Sequence, residues 1–440
     1  MTGARAAGYP RARLAPPETV VEIARVLRDA GFETWCVGGA VRDALLGEAH
    51  LDWDLATAAT PAEVRRLFRR TVPVGIEFGT VGVLDPANVM HEVTTFRRDV
   101  KTDGRHAVVE FGVSLDDDLA RRDFTINAIA YDPLGAELRD PFGGQRDLAA
   151  RVVRAVGDPD ARMREDRLRA LRAVRFAARF GFEIDPDTWR AVADSAPFMT
   201  RLSRERVKQE IEKTMQQVRL AGRAMRLWQE SGVLAALIPA LAQVSDVTLR
   251  SLDLLPRPAT RGKPDREVQR IVALMADLSA RDAERALHDL RFPNKTVSWV
   301  GSVLRGWAAI GDDVRRALGE LGGPTDAGLR RWAGATGRTR ARAVWRLGTV
   351  RFAAERELGR PAPEARAVAS AYRRAMRIAF RDPVEIGDLA VDGVDLLAAG
   401  IAPGPGMKTV LEHLLAYVLE DPRRNTRDAL LARAVIAGGR

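Results

Sequence analysis

The sequence changes texture once, near residue 160, and that break limits the folds open to it. Ahead of it, short β-type apolar runs alternate with glycine turns: Glu33-Thr-Trp-Cys-Val-Gly-Gly39, Leu51-Asp-Trp-Asp-Leu-Ala-Thr57, Gly79-Thr-Val-Gly-Val-Leu-Asp85, Val89-Met-His-Glu-Val-Thr-Thr-Phe96 and Ala107-Val-Val-Glu-Phe-Gly-Val113. These predict strands of one mixed sheet, with helices at 40–47, at 61–70, and after Pro16-Pro17 up to Gly31. Behind the break, Ala, Leu, Arg and Glu recur at helical spacing and β-branched runs become rare. Loops at 256–265, 321–325, 359–363 and 402–406 interrupt that texture, and no internal repeat is visible. The expected fold class is α+β: a mixed sheet with helices, followed by an all-α rear. Residues 1–17, rich in Ala, Arg and Pro, read as a loose tail.

Charge follows the same division. The 440 residues carry 69 Lys plus Arg against 59 Asp plus Glu, a net +10, with hydrophobic residues at 46%. Residues 1–150 are net −5, whereas 301–380 alone are net +9. A localised basic excess on a globular chain points to a nucleic acid as partner. The single Cys36 excludes an intramolecular disulfide framework and a Cys-rich zinc module. No apolar stretch is long enough to span a membrane, and the N-terminus has no apolar signal region, so a cytoplasmic protein is expected.

The chemistry concentrates at Trp35-Cys-Val-Gly-Gly-Ala-Val-Arg-Asp43, followed by Asp52-Trp-Asp54. Gly38 and Gly39 let a backbone approach a ligand closely. The helix starting at Ala40 offers free N–H groups to a phosphate, and Arg42 can add a charge-assisted bond. On a strand, Asp52 and Asp54 point to one face, where they repel each other unless a cation sits between them. Oxygen-only ligation favours Mg²⁺. Two such ions about 3.5–4 Å apart would activate a hydroxyl and stabilise a leaving pyrophosphate.

This segment resembles the signature of the nucleotidyltransferase superfamily related to DNA polymerase β. More narrowly, it is similar to the class II tRNA nucleotidyltransferase and bacterial poly(A) polymerase family, and the resemblance runs over most of the chain. It implies a polymerase β-like head (18–150), a helical neck (151–220), a helical body (221–330) and a tRNA-binding helical tail (331–440). It also implies a third acid on a neighbouring strand, for which Glu92 is the candidate. Leu119-Ala-Arg-Arg-Asp-Phe-Thr-Ile-Asn-Ala128 matches the family's next block. There Asp123 can accept a bond from a ribose 2′-OH, Arg122 can hold a phosphate or brace that Asp, and Asn127 supports the loop. The nucleophile implied is the 3′-hydroxyl of an RNA primer.

Residues 162–180 read as one Arg-decorated helix. Asp166 and Arg169, at i and i+3, present an acceptor and a forked donor on one face. Cytosine and adenine each offer an amino donor beside a ring acceptor and satisfy both groups. Uracil and guanine leave both unpaired, at about 1–3 kcal/mol each. Glu165-Asp166-Arg167-Leu168-Arg169 matches the family's E-D-x-x-R block, which implies that Asp166 and Arg169 read the base without a template. Arg172 and Arg175 would then line the nucleotide pocket, and Glu165 would orient Arg169 or cap the helix. Ser203–Lys213 matches a further neck block and reads as a brace for the base-reading helix.

His288-Asp289 is the sole His-Asp dipeptide and has no companion cluster, so no second metal site is expected. Gly404-Pro-Gly406 follows helical texture and reads as a turn near RNA, not a phosphate loop. The expected function is template-independent addition of CCA to tRNA from CTP and ATP, with Mg²⁺ and no required protein partner. A-only addition, poly(A) synthesis and a non-catalytic RNA-binding protein are the rivals. The full-length stretch 97–112 speaks against a CC-only enzyme. A small-molecule nucleotidyltransferase would not need the long basic rear.

Overall fold

The computed structural model describes residues 14–48, 52–102, 107–256 and 265–438. Most of the expected N-terminal tail, the centre of the 256–265 loop and residues 103–106 of the 97–112 stretch lie outside the described residues. Two compact units result, one of Met1–Glu210 with Leu227–Leu237, the other of Ile211–Arg226 with Ile238–Arg440.

Among the described residues the first unit holds eleven strands: β1 Thr34–Val37, β2 Asp54–Thr57, β3 Thr71–Gly75, β4 Thr80–Leu84, β5 Met90–Thr95, β6 Arg97–Thr102, β7 Ala107–Phe111, β8 Ala130–Asp132, β9 Glu137–Arg139 and the parallel pair β10 Val152–Val153 with β11 Glu183–Ile184. Seven form a mixed sheet in the order β3-β4-β5-β2-β1-β8-β9. The expectation of a single sheet is corrected here. Ala107–Phe111 pairs with β6 as a separate two-stranded ribbon, because its ladder partner is its own hairpin neighbour.

The helices of this unit are α1 Glu18–Asp29, α2 Gly39–Leu45, α3 Pro61–Leu67, α4 Leu115–Ala120, α5 Gly144–Ala150, α6 Pro159–Glu165, α7 Leu168–Phe180, α8 Pro186–Asp194 and the first part of α9 Arg204–Gln217. Val37, Ala56, Phe96, Leu115, Leu119, Ala128, Ala130 and Val156 form one buried cluster. That cluster fixes the ends of β1 and β2 against α4 and the loop after it.

The expected helix over 162–180 is two helices. It breaks at Asp166, whose backbone is extended (φ −148°) and whose carboxylate accepts from Leu168 N at 3.0 Å. An aspartate satisfies the open N–H groups of a helix start better from just outside it than from its interior. Helix α7 then runs to Gly181, whose left-handed φ of +68° ends it.

Among its described residues the second unit contains helices and no strand. It comprises the end of α9, most of α10 Ala221–Glu230, then α12 Asp246–Leu254, α13 Asp265–Leu274, α14 Ala280–Asp289, α15 Asn294–Gly319, α16 Asp326–Thr336, α17 Arg338–Glu357, α18 Ala365–Arg381, α19 Gly393–Ala398, α20 Pro405–Glu420 and α21 Arg427–Gly438. The remaining helix, α11 Val233–Leu237, belongs to the first unit. Arg270 is fully buried and donates to Met215 O, Val218 O, Arg219 O and Leu255 O at 2.6–3.0 Å, tying the C-terminal ends of α9 and α12 together. His288 and Asp289 are exposed at the end of α14.

Candidate active site

The acidic pair sits where the sheet order places it. β1 and β2 are antiparallel, with Val37 opposite Asp54, so the Gly38-Gly39 turn that leaves β1 lies beside the entry to β2. β2 and β5 are parallel with Leu55 opposite Val93, which sets Glu92 beside Asp54. Only Asp54 is within the strand; Asp52 precedes it, exposed, and Trp53 between them is buried. The Asp54 carboxyl is pushed up to about 7, first by burial, then by the charges of Asp52 and Glu92, with Arg122 opposing them. Three carboxylates thus share one field. Among the described residues no group of three or more His, Cys, Asp or Glu side chains forms a ready-made metal cage. Cys36 is fully buried, and its thiol is pushed up by burial and then by Asp132 and Asp54, so it offers no thiolate.

Gly38 has a φ of +77°, and a Cβ there would sit 3.1 Å from Arg122 Nη1. This glycine therefore lets Arg122 lie against the turn. Arg122 donates to Asp118 Oδ2 at 3.1 Å, while its buried Nε has no partner. Asp118, itself fully buried, also accepts two bonds from Arg121. Burial would raise the Asp118 carboxyl, but Arg122 and Arg121 hold it below the ordinary carboxylate range. The sequence reading missed this residue, although the run Asp116-Asp117-Asp118, one helical turn ahead of Arg121-Arg122, carries the signal.

Asp123 is almost buried. It accepts from Phe124 N (2.9 Å), Asn127 Nδ2 (2.9 Å), Arg172 Nε (2.7 Å) and Arg172 Nη2 (2.6 Å). Burial would raise its carboxyl, yet Arg172 and Asn127 overcome that and hold it at about 2. Its acceptor positions are therefore filled, and a ribose hydroxyl has to displace one of these donors.

Arg42 is only 3% exposed. Its guanidinium binds Asp43 (2.7 Å) and Asn127 and lies 5.1 and 4.7 Å from the ring centres of Phe176 and Phe180 on α7. Arg179 donates to the other oxygen of Asp43 at 2.9 Å. The Gly-Gly helix, the Arg-Arg-Asp block and α7 are thus joined by one buried polar network.

The base-reading candidates lie at the break between α6 and α7. Arg169 donates to Glu165 Oε2 (2.6 Å), Arg162 O (3.0 Å) and Arg121 O (2.9 Å), so Glu165 does orient it. Asp166 Oδ2 accepts from Arg206 of α9 at 2.6 Å. Arg172 faces Asp123, whereas Arg175 is 4% exposed and turned to Glu210 of α9 at 2.7 Å. The neck block thus braces this region through Arg206 and Glu210, four residues apart on one helix face.

The family described as "Poly A polymerase head domain" matches residues 34–154, and that described as "Probable RNA and SrmB- binding site of polymerase A" matches residues 181–244. The CCA-adding enzyme of Geobacillus kaustophilus is 35% identical over 422 residues, which cover 95% of this chain and 96% of that relative. The crystal structure of the Bacillus stearothermophilus CCA-adding enzyme in complex with CTP aligns with a TM-score of 0.74 at 31% identity, over 96% of this chain and 98% of that one. The Thermotoga maritima CCA-adding enzyme complexed with tRNA_CCA shares the fold, with a TM-score of 0.66 at 21% identity over 96% of each chain.

Proposed function

The chain belongs to the family of CCA-adding enzymes, and on that footing we propose how its residues divide the work of adding C, C and A to the 3′ end of tRNA. The enzyme is an RNA nucleotidyltransferase that uses CTP and ATP and releases pyrophosphate. The segments 18–150, 151–220, 221–330 and 331–440 serve as head, neck, body and tRNA-binding tail. Action on tRNA supports a cytoplasmic location, and among the described residues no helix is long and apolar enough to cross a membrane.

One observation carries the site assignment: the strand register brings Asp54 beside Glu92 and next to Asp52, where burial first and then those two charges push the Asp54 carboxyl up to about 7. An oxygen-only donor set under mutual repulsion fits a divalent cation. Mg²⁺, which takes one or two carboxylates plus substrate phosphates, suits it better than an ion needing a closed cage. Asp52 and Asp54 would hold it, and when bound it supplies Lewis-acid stabilisation of the α-phosphate and of the attacking 3′-hydroxyl. Glu92 sets the charge of the pair from the next strand.

The remaining roles belong to the protein. Gly38 and Gly39 open the turn to the triphosphate, and the unpartnered Nε of Arg122 is a buried donor awaiting an anion. Arg42 reaches the nucleotide indirectly, by holding Asn127 and through it Asp123. Asp123 keeps Arg172 aimed at the sugar and phosphates. Asp166 accepts the amino group of C or A and Arg169 donates to the adjacent ring nitrogen. Arg175 holds α7 to α9.

Incubation with CTP, ATP and tRNAs ending before CCA, after C and after CC tests the product. Completion of all three is expected; extension of the CC-ended tRNA alone would identify an A-adding enzyme. Asp52→Ala and Asp54→Ala should each abolish incorporation, and activity retained in either overturns the metal assignment. Asp166→Ala should lose preference for C and A over G and U.

A further inference from the structure

The charge excess over residues 301–380 resolves into two kinds of cation. Arg330 is 7% exposed and donates to Leu419 O, Glu420 O and Asp382 at 2.6–3.1 Å. Arg331 is paired with Glu420, and Arg338 with Asp388. These charges are neutralised within the fold. Arg342 and Arg346, one turn apart on α17, are exposed and have no carboxylate partner among the described residues, and the same is true of Lys295 in the first turn of α15.

These three line a cavity of about 570 Å³ inside the second unit, together with Trp299, Phe380 and Gln269. Among the described residues no acidic side chain lines it. A neighbouring cavity of about 560 Å³ shares Gln269 and Arg346 and adds Tyr372, Arg373 and Thr349, whose hydroxyl is buried without a hydrogen-bond partner. Three cations with no carboxylate among the described residues of the wall call for an anion. Aromatic side chains in the same wall call for a flat ring, since base–aromatic stacking works with any base. Arg342 already lies over the Phe380 ring at 5.8 Å, which leaves Trp299 as the aromatic available to a ligand. A volume of this size holds a small organic ligand, and a nucleotide carries both the ring and the charge.

We propose that this cavity binds one nucleotide, its base against Trp299 and its phosphate among Lys295, Arg342 and Arg346. The nucleotide is either free or splayed out of an RNA strand. None of these side chains belongs to the set assigned to nucleotidyl transfer, so the proposal does not depend on that assignment.

The test uses the full-length protein, the double variant Arg342→Gln/Arg346→Gln, and Trp299→Leu with Trp299→Phe as the conservative partner. Calorimetric titration with ATP and filter binding of tRNA over a range of salt distinguish the sources. If the ligand is a free nucleotide, the wild type binds two ATP per chain and the double variant one, with KM for CTP unchanged. If the nucleotide is part of RNA, ATP stoichiometry stays at one throughout. The double variant then binds tRNA about tenfold or more weakly, with a salt slope reduced by about 1–2. Trp299→Leu weakens tRNA binding about fivefold or more at unchanged slope, and Trp299→Phe restores it. Wild-type binding of both ligands in all variants overturns the proposal. So does a loss of tRNA affinity in the double variant with none in Trp299→Leu, because that is a bare phosphate contact. Failure of the residue roles assigned at the acidic pair would leave the differences between wild type and these variants unchanged.

Discussion

Single side chains in this protein do their work under strong local fields, and two of them make sharp predictions. The Asp54 carboxyl titrates at about 7, above the ordinary carboxylate value of about 4, so the folded protein keeps a proton that the unfolded chain has lost. Stability therefore falls as pH rises from about 4 to 7, and the charged carboxylate weighs fully against the fold above that. Without metal, Asp54→Asn should raise Tm by several degrees at pH 8, an advantage that shrinks toward pH 4, while abolishing activity. For the same reason Mg²⁺ should raise the wild-type Tm more at pH 8 than at pH 6. The second case is Glu210, which faces Arg175 where both side chains are almost fully buried. Glu210→Leu removes the carboxylate facing that buried guanidinium and should cost about 3–5 kcal/mol in denaturant unfolding. Arg206→Ala removes the partner of Asp166 and should lower C/A selectivity at little cost in stability, because that pair is partly exposed. The acidic pair and the Gly-Gly turn were legible in the sequence because each is local. The Arg206–Asp166 and Arg42–Asn127 contacts were not, since they join residues 40 and 85 positions apart.

At the scale of elements, legibility tracks how far each segment carries its own signal. The strands β1, β2, β4, β5 and β7 follow from short apolar runs, those of β1, β4 and β7 adjoining a glycine. The strands β8 and β9 have three residues each, too few for a periodicity, and β3 contains Pro73, which argues against a strand until its outer position in the sheet is known. The strand β7 reads as part of the main sheet because alternation reveals a strand but not its partner, and that partner, β6, has no apolar run to announce it. Over 162–180 helical composition was continuous, and what broke the helix was the capping preference of Asp166. Helix packing in the second unit offers a test of another kind. A Cβ at Gly348 of α17 would overlap the ring of Trp307 on α15, which packs edge-on to Phe352 at 5.7 Å. Gly348→Ala should therefore destabilise the protein by about 1–3 kcal/mol, against the small gain a Gly→Ala change gives in an open helix. Chemical denaturation measures the sign directly.

For the molecule as a whole, net charge proves a poor guide until each cation is assigned a partner. Arg330 and Arg346 count equally in the composition but predict opposite phenotypes. Arg330→Gln should lower Tm by several degrees, since it leaves Leu419 O, Glu420 O and Asp382 with fewer donors, and should not change the salt slope of tRNA binding. A change in that slope would return Arg330 to the RNA-facing set. The buried network of Arg42, Asp43, Arg179, Asn127, Asp123 and Arg172 has a further consequence, for how such a sequence can vary. Each member satisfies another, so the effect of replacing one depends on which residue stands at the next. Arg179→Ala and Asp43→Ala should show a double-mutant coupling of about 1–3 kcal/mol, far from additive. Drift at these positions is thus possible only in concert, and a lineage that alters one inherits a constraint on the rest.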